Sequence, residues 1–158
     1  MVLPVETVQP PYHLFRRDIE ADLLPYAAAH DIGVLAYGPL AHGLLGGTIT
    51  DAATFGPGDW RASSSAFIGE GFARNLQVVA SLRTFAAARG ATVAQLAVAW
   101  VLAHPAVQVA IVGARTPAHL AESLGALDLT LSQADLAEID HIMAAAVPVG
   151  GPTPEGMS

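Results

Sequence analysis

The stretch Gly33–Gly47, GVLAYGPLAHGLLGG, constrains this chain more than any other. A short apolar run, Val34-Leu35-Ala36, meets an aromatic at Tyr37 and breaks at Gly38-Pro39, with Gly43, Gly46 and Gly47 following. A buried strand that ends in glycines brings backbone N–H groups close to whatever lies beyond it. In α/β folds, ligands sit beyond the C-terminal ends of parallel strands. The pattern therefore predicts one half of a site for a flat cofactor and its phosphates. On spacing alone the glycines read equally as a plain turn, and Tyr37 as core.

The flanking sequence predicts a parallel α/β fold. Val5–Pro10 alternates and stops at Pro10-Pro11, which predicts a short strand with Gln9 at its end. Asp18 predicts an N-cap for a helix to about His30, with Pro25 forcing a kink or a late start. Thr48–Gly69 reads as a long loop carrying Asp59-Trp60-Arg61. A helix over Phe72–Arg89 turns Phe72, Leu76, Val79, Leu82 and Ala86 inward and ends at Gly90. Thr92-x-x-Gln95 is a capping box for a helix that Pro105 closes. Val107–Val112, apolar except Gln108, predicts a strand buried on both faces. Thr116-Pro117 opens a helix to about Leu127, and Ser132-x-x-Asp135 opens the last, with Leu136, Ile139 and Met143 inward. Residues 1–147 form one domain and 148–158 a flexible tail. Strands separated by helices imply parallel pairing with right-handed crossovers.

Two strand ends carry candidate chemistry. The first is Tyr37 with Gly38–Gly43. At the other, Gly113 leads into a helix whose first-turn N–H groups suit a phosphate, with Arg115 beside it and His119, Glu122 and Ser123 one turn on. The six histidines show no i, i+4 pair, so no metal site is expected. A net charge of −7 and no basic cluster beyond Arg16-Arg17 argue against nucleic acid. The apolar region Val93–Val112 is broken by Gln95, His104-Pro105 and Gln108, so no membrane span is expected. With no cysteine and no apparent leader, a cytoplasmic location is expected.

VQPPYHLFRR, GVLAYGPLAHGLLGG, DWR, ARGATVAQLAVAWVLAHP and IVGARTPAHLAESLGALDLTLS, in this order, resemble the C-terminal half of the aldo-keto reductase superfamily from about Val5 to Met143. The resemblance implies part of a (β/α)8 barrel, strands six to eight, binding NADP(H), or NAD(H), in an extended pose for hydride transfer to a carbonyl. It implies Gln9 at the nicotinamide carboxamide and Tyr37 stacked on its ring. It implies Gly38, Pro39, Leu40 and Gly43 around the pyrophosphate, Gly113, Arg115, Thr116 and His119 around the 2′-phosphate, and Glu122, with Ser123 beside it, at the adenine. The chain departs from the family at Gly38, where serine is frequent, and at Val112, where proline is. It departs again at His119, where arginine is common, and at Ser123, where asparagine is usual.

The family's catalytic Asp, Tyr, Lys and His lie in the first half of its barrel. All seven basic residues here are arginine, so that tetrad is not expected in this chain. Only 13% of residues are charged against 53% apolar, fewer charges than the roughly 25% of an ordinary soluble domain. That composition suits a piece of a larger core. The expected function is an NADP(H)-binding half of a carbonyl reductase, truncated and inactive alone. The alternatives are a subunit of a split reductase completed by an N-terminal half-barrel, and a non-catalytic nucleotide-binding module. Self-association is the other expected way to cover the open core.

Overall fold

A computed structural model describes residues 4–50, 55–56 and 58–151. Three parallel strands, β1 (Thr7–Val8), β2 (Gly33–Tyr37) and β3 (Val109–Ile111), form one sheet in the order β1-β2-β3. Thr7 pairs with Gly33 and Val8 with Val34, while Leu35, Ala36 and Tyr37 pair with Val109, Ala110 and Ile111. β1 is shorter than its sequence predicts. Past Val8 the chain stays beside β2 through single contacts, Tyr37 N–H to the Pro10 carbonyl and Tyr12 N–H to the Tyr37 carbonyl. Two prolines in a row, Pro10 and Pro11, have no N–H to continue a ladder.

The polar break in the third strand has a structural reason. The Gln108 side-chain oxygen accepts from the Val34 N–H at 2.6 Å while the Gln108 backbone N–H donates to the Val34 carbonyl at 3.1 Å. An amide side chain thus completes the start of the ladder.

The two faces of the sheet differ. Val34 and Ala36 are fully buried. On the other face Val109 is 43% and Ile111 36% exposed, so β3 is not buried on both sides as its composition predicts. Its apolar side chains reflect the residue types of a two-sided core, but only one face is covered by the described residues.

The helices are α1 (Leu23–Ala29), α2 (Gly69–Ala87), α3 (Val93–Ala103), α4 (Pro117–Leu124) and α5 (Gln133–Met143), and all but α2 start at a side-chain cap. Both capping boxes form, Thr92 with Gln95 and Ser132 with Asp135, and Thr116 caps α4. α1 begins late, as Pro25 demands. Asp22 is its cap, and Asp18–Glu20 is a separate 3-10 turn. Pro25 then sits in the first helical turn, where no N–H is needed. The core joins β2 to α2, α3 and α5 through Val34, Leu82, Leu96, Val101 and Ile139.

The start of the expected tail is anchored. Asn75, buried inside α2, donates to the Val147 carbonyl at 2.9 Å and accepts from its N–H at 2.8 Å. Val149 is buried and donates its N–H to the Phe15 carbonyl. Their partners, Asn75 and Phe15, lie far away in sequence, so no local pattern reveals that Val147 and Val149 dock. Residues 152–158 of that expected tail lie outside the described residues. No described helix is long and apolar enough to cross a membrane.

Candidate cofactor cleft

β2 delivers Tyr37 to the C-terminal edge of the sheet, and the loop beyond it turns through left-handed geometry. Gly38 has φ +70° and Gly43 φ +95°, and between them Ala41 and His42 also hold positive φ, +49° and +56°. Side chains rarely tolerate that region, and such strain persists only where surroundings over-determine it. Here Ala41, Leu44 and Leu45 are fully buried, and the Gly43 and Leu45 N–H groups both donate to the Leu40 carbonyl.

The loop is also pinned from above. The Arg61 guanidinium donates to the His42 carbonyl at 2.9 Å and is held by the Asp59 carboxylate at 2.6 Å. Asp59 also caps the 3-10 turn Trp60–Ser63 that carries Arg61. The guanidinium lies over the Phe55 ring, and a Cβ on Gly43 would come within 3.1 Å of its Nη1. The arginine holds the Asp59 carboxyl below its usual range, chiefly through their hydrogen bond. Trp60 meets the His42 ring edge-on at 5.1 Å.

Two clefts open around this loop. The first, about 440 Å³, is walled by Pro11, His13 and Arg16 on the β1 side and by Tyr37, Gly38, Pro39, Leu40, His42, Gly43 and Gly113 on the other. The second, about 410 Å³, runs past Gly46, Thr48, Ile49, Phe55 and Arg61 to Ala94, Arg115, His119, Glu122 and Ser123. Leu40, Gly43 and Gly113 line both, so the clefts meet there.

Ten of the twelve residues singled out by sequence are thus brought together: Tyr37, Gly38, Pro39, Leu40, Gly43, Gly113, Arg115, His119, Glu122 and Ser123. Gln9 stands exposed past the end of β1, outside both linings. Thr116 also lies outside, its hydroxyl capping α4 by accepting from the His119 N–H at 3.2 Å. Ser123 faces the cleft while its hydroxyl bonds the His119 carbonyl at 2.9 Å, within α4. The Gln95 amide donates to the Glu122 backbone carbonyl, which anchors α4 on α3, and Glu122 lines the cleft.

The sequence reading missed His13, Arg16, His42 and Arg61 as lining residues. His13 is 2% exposed and its Nδ1 has no hydrogen-bond partner among the described residues. Burial above all, with His42 and Arg16 nearby, pushes its pKa down to about 3. His42 is lowered too, by burial and by Arg16 and Arg61, so both imidazoles are neutral at pH 7. The residue pattern gave Asp59-Trp60-Arg61 only as part of a long loop; what it could not give was the reach of Arg61 back to His42.

This arrangement suits an elongated, doubly ended ligand. One end offers an aromatic among apolar walls, the middle a glycine loop open to close backbone approach, and the far end cationic and carboxylate groups. A profile of the aldo/keto reductase family matches residues 1–144. The chain belongs to the aldo/keto reductase family. Among its relatives, the aldo-keto reductase YhdN of Bacillus subtilis (strain 168) is 38% identical over 152 residues, 94% of this chain and 46% of that protein. The fission yeast (Schizosaccharomyces pombe) aldo-keto reductase yakc [NADP(+)] is 32% identical over 98% of this chain and 46% of its own length. The solved glycerol dehydrogenase AKR11B4 of Gluconobacter oxydans superposes with a TM-score of 0.87 at 36% identity, over 99% of this chain and 47% of that one. The chain therefore spans about half the length of the family members it matches.

Proposed function

We propose that this aldo/keto reductase chain forms the cofactor wall of a carbonyl reductase, holding NADP(H) extended along the two joined clefts. The observation that carries this reading is their continuity: Tyr37 at one end and Arg115, His119 and Glu122 at the other, joined at Leu40, Gly43 and Gly113. When bound, the nicotinamide supplies hydride to a carbonyl carbon. Tyr37 packs against the ring and keeps water from its face, and Gln9 turns inward to hold its carboxamide. The Gly38–Gly43 loop approaches the pyrophosphate, and Arg61, which holds the His42 carbonyl, steadies that loop. Arg115, with His119, Thr116 and the open end of α4, meets the adenosine 2′-phosphate, and Glu122 accepts from the adenine amino group.

The proton-transfer residues of the reaction are, in this reading, supplied by another half-barrel, so the chain binds cofactor but does not turn over carbonyls alone. The exposure of Val109 and Ile111 on the uncovered sheet face supports this, because parallel sheets are ordinarily covered on both faces. The outer edges of β1 and β3, the ends of the observed strand order, are where further strands would add.

Both nicotinamide forms occur in relatives' names. The fission yeast protein is named for NADP(+), and an Escherichia coli (strain K12) relative, 32% identical over 83% of this chain and 40% of its own length, is an NADH-specific methylglyoxal reductase. Arg115 favours NADP(H) here. Titration of NADPH and NADH against the folded chain, followed by nicotinamide fluorescence, tests the reading. Saturable binding with NADPH tighter than NADH is expected, and no binding of either overturns it.

A further inference from the structure

We propose that Arg16 makes the first cleft selective for carbonyl compounds that carry a carboxylate. This deepens the cofactor reading and rests on it for the position of the reacting carbonyl. Arg16 leaves the loop after β1 and lines the cleft opposite Tyr37 and Gly38. Its only ion-pair partner among the described residues is Asp18, which meets Nε at 3.5 Å and is 65% exposed, so it neutralises the guanidinium weakly. No hydrogen bond from the Arg16 guanidinium forms among the described residues, so its N–H groups keep capacity for another partner.

The rest of the wall does not supply one. None of the residues lining this cleft is a carboxylate. The other arginine at the loop, Arg61, is already matched by Asp59. Arg17 differs in the same way: Glu20 and Asp140 hold it at 2.8 and 2.6 Å. Arg16 is thus an under-compensated cation in an apolar cleft of an acidic chain. Beside it, buried His13 carries an Nδ1 that has no hydrogen-bond partner among the described residues.

A guanidinium fork matches a carboxylate with two parallel hydrogen bonds, and it discriminates by shape as well as charge. A cleft of about 440 Å³ holds a small molecule beside a nicotinamide ring. With the ring on Tyr37, a substrate carboxylate at Arg16 sets its carbonyl between the two. A 2-oxo acid carries its carboxylate directly on the carbonyl carbon, whereas a neutral ketone of equal size leaves Arg16 without its partner.

The test uses the full chain, with and without saturating NADPH. 2-Oxobutyrate and its neutral counterpart 2,3-pentanedione are titrated while the Arg16 Nε–H and the His13 and His42 imidazole signals are followed by NMR at constant ionic strength. 2-Oxobutyrate is expected to bind at least about tenfold more tightly and to shift the Arg16 signal. Arg16→Gln is expected to erase that preference while NADPH affinity stays within about twofold, and Arg16→Lys to restore part of it. Equal binding of the two probes, no binding of either, or a preference that survives Arg16→Gln overturns the proposal. A tenfold loss of NADPH affinity in Arg16→Gln also overturns it, because Arg16 is then a cofactor contact. If NADPH fails to bind while 2-oxobutyrate is still preferred, the cofactor reading falls and the carboxylate site stands.

Discussion

Gly43 is the residue on which the cleft turns most sharply. Its φ of +95° excludes a side chain, and the nearest obstacle to a Cβ is the Arg61 guanidinium at 3.1 Å. Gly43→Ala is expected to cost roughly 1–2 kcal/mol in urea unfolding and to weaken NADPH binding as the pin on the loop is displaced. A variant with unchanged stability and affinity would contradict this account of the loop. His13 sets a pH limit at the same site. Its pKa of about 3 lies below its ordinary value of 6.5, so the unfolded chain takes up the proton first. The stability this residue contributes is whole above pH 6.5 and falls as pH drops towards 3, by up to about 1.4 kcal/mol per pH unit. His13→Leu is expected to flatten that part of the pH–stability curve. At the far end of the cleft, Arg115→Ala should weaken NADPH by about tenfold and NADH little, read by the same fluorescence titration.

Among the elements, the C-terminal segment is held to α2 by one side chain. Asn75 satisfies both backbone groups of half-buried Val147, so Asn75→Leu leaves its N–H and C=O without that partner and should cost roughly 1–3 kcal/mol in chemical unfolding. The contrast with the helix starts explains what a sequence discloses. The capping boxes at Thr92 and Ser132 and the Thr116-Pro117 start are written within four residues, so pattern and structure agree there. For α1 the sequence left a kink after Asp18 or a late start open at Pro25, and the structure takes the late start with Asp22 as cap. Asn75 and Val147 lie 72 positions apart, and no local pattern joins them. The cofactor cleft divides along the same line. Tyr37, Gly43 and Gly113 stand at strand ends and could be read. Arg16 and His13 enter through the fold of a loop, and Arg61 through a reach of 19 positions to His42.

On the scale of the whole molecule, three parallel strands with one covered face leave apolar side chains in water. The uncovered set extends beyond Val109 and Ile111 to Leu120, Leu124 and Leu127 along α4 and the turn after it, all more than half exposed. An exposed apolar stripe of this kind favours association. At micromolar concentration the isolated chain is expected to self-associate, and light scattering that shows a monodisperse monomer with a single cooperative melt would contradict that. Addition of an N-terminal half-barrel carrying the family's Asp, Tyr, Lys and His is expected to yield a species that reduces carbonyls at the expense of NADPH, and carbonyl reduction by this chain alone would contradict the proposed division of roles. The central claim, that these residues form a cofactor wall, is tested most directly by titrating NADPH into the folded chain and into Gly43→Ala side by side. The account predicts saturable binding by the chain and clearly weaker binding by the variant. Equal affinity in the two, or no binding by a chain whose circular dichroism shows it folded, would contradict it.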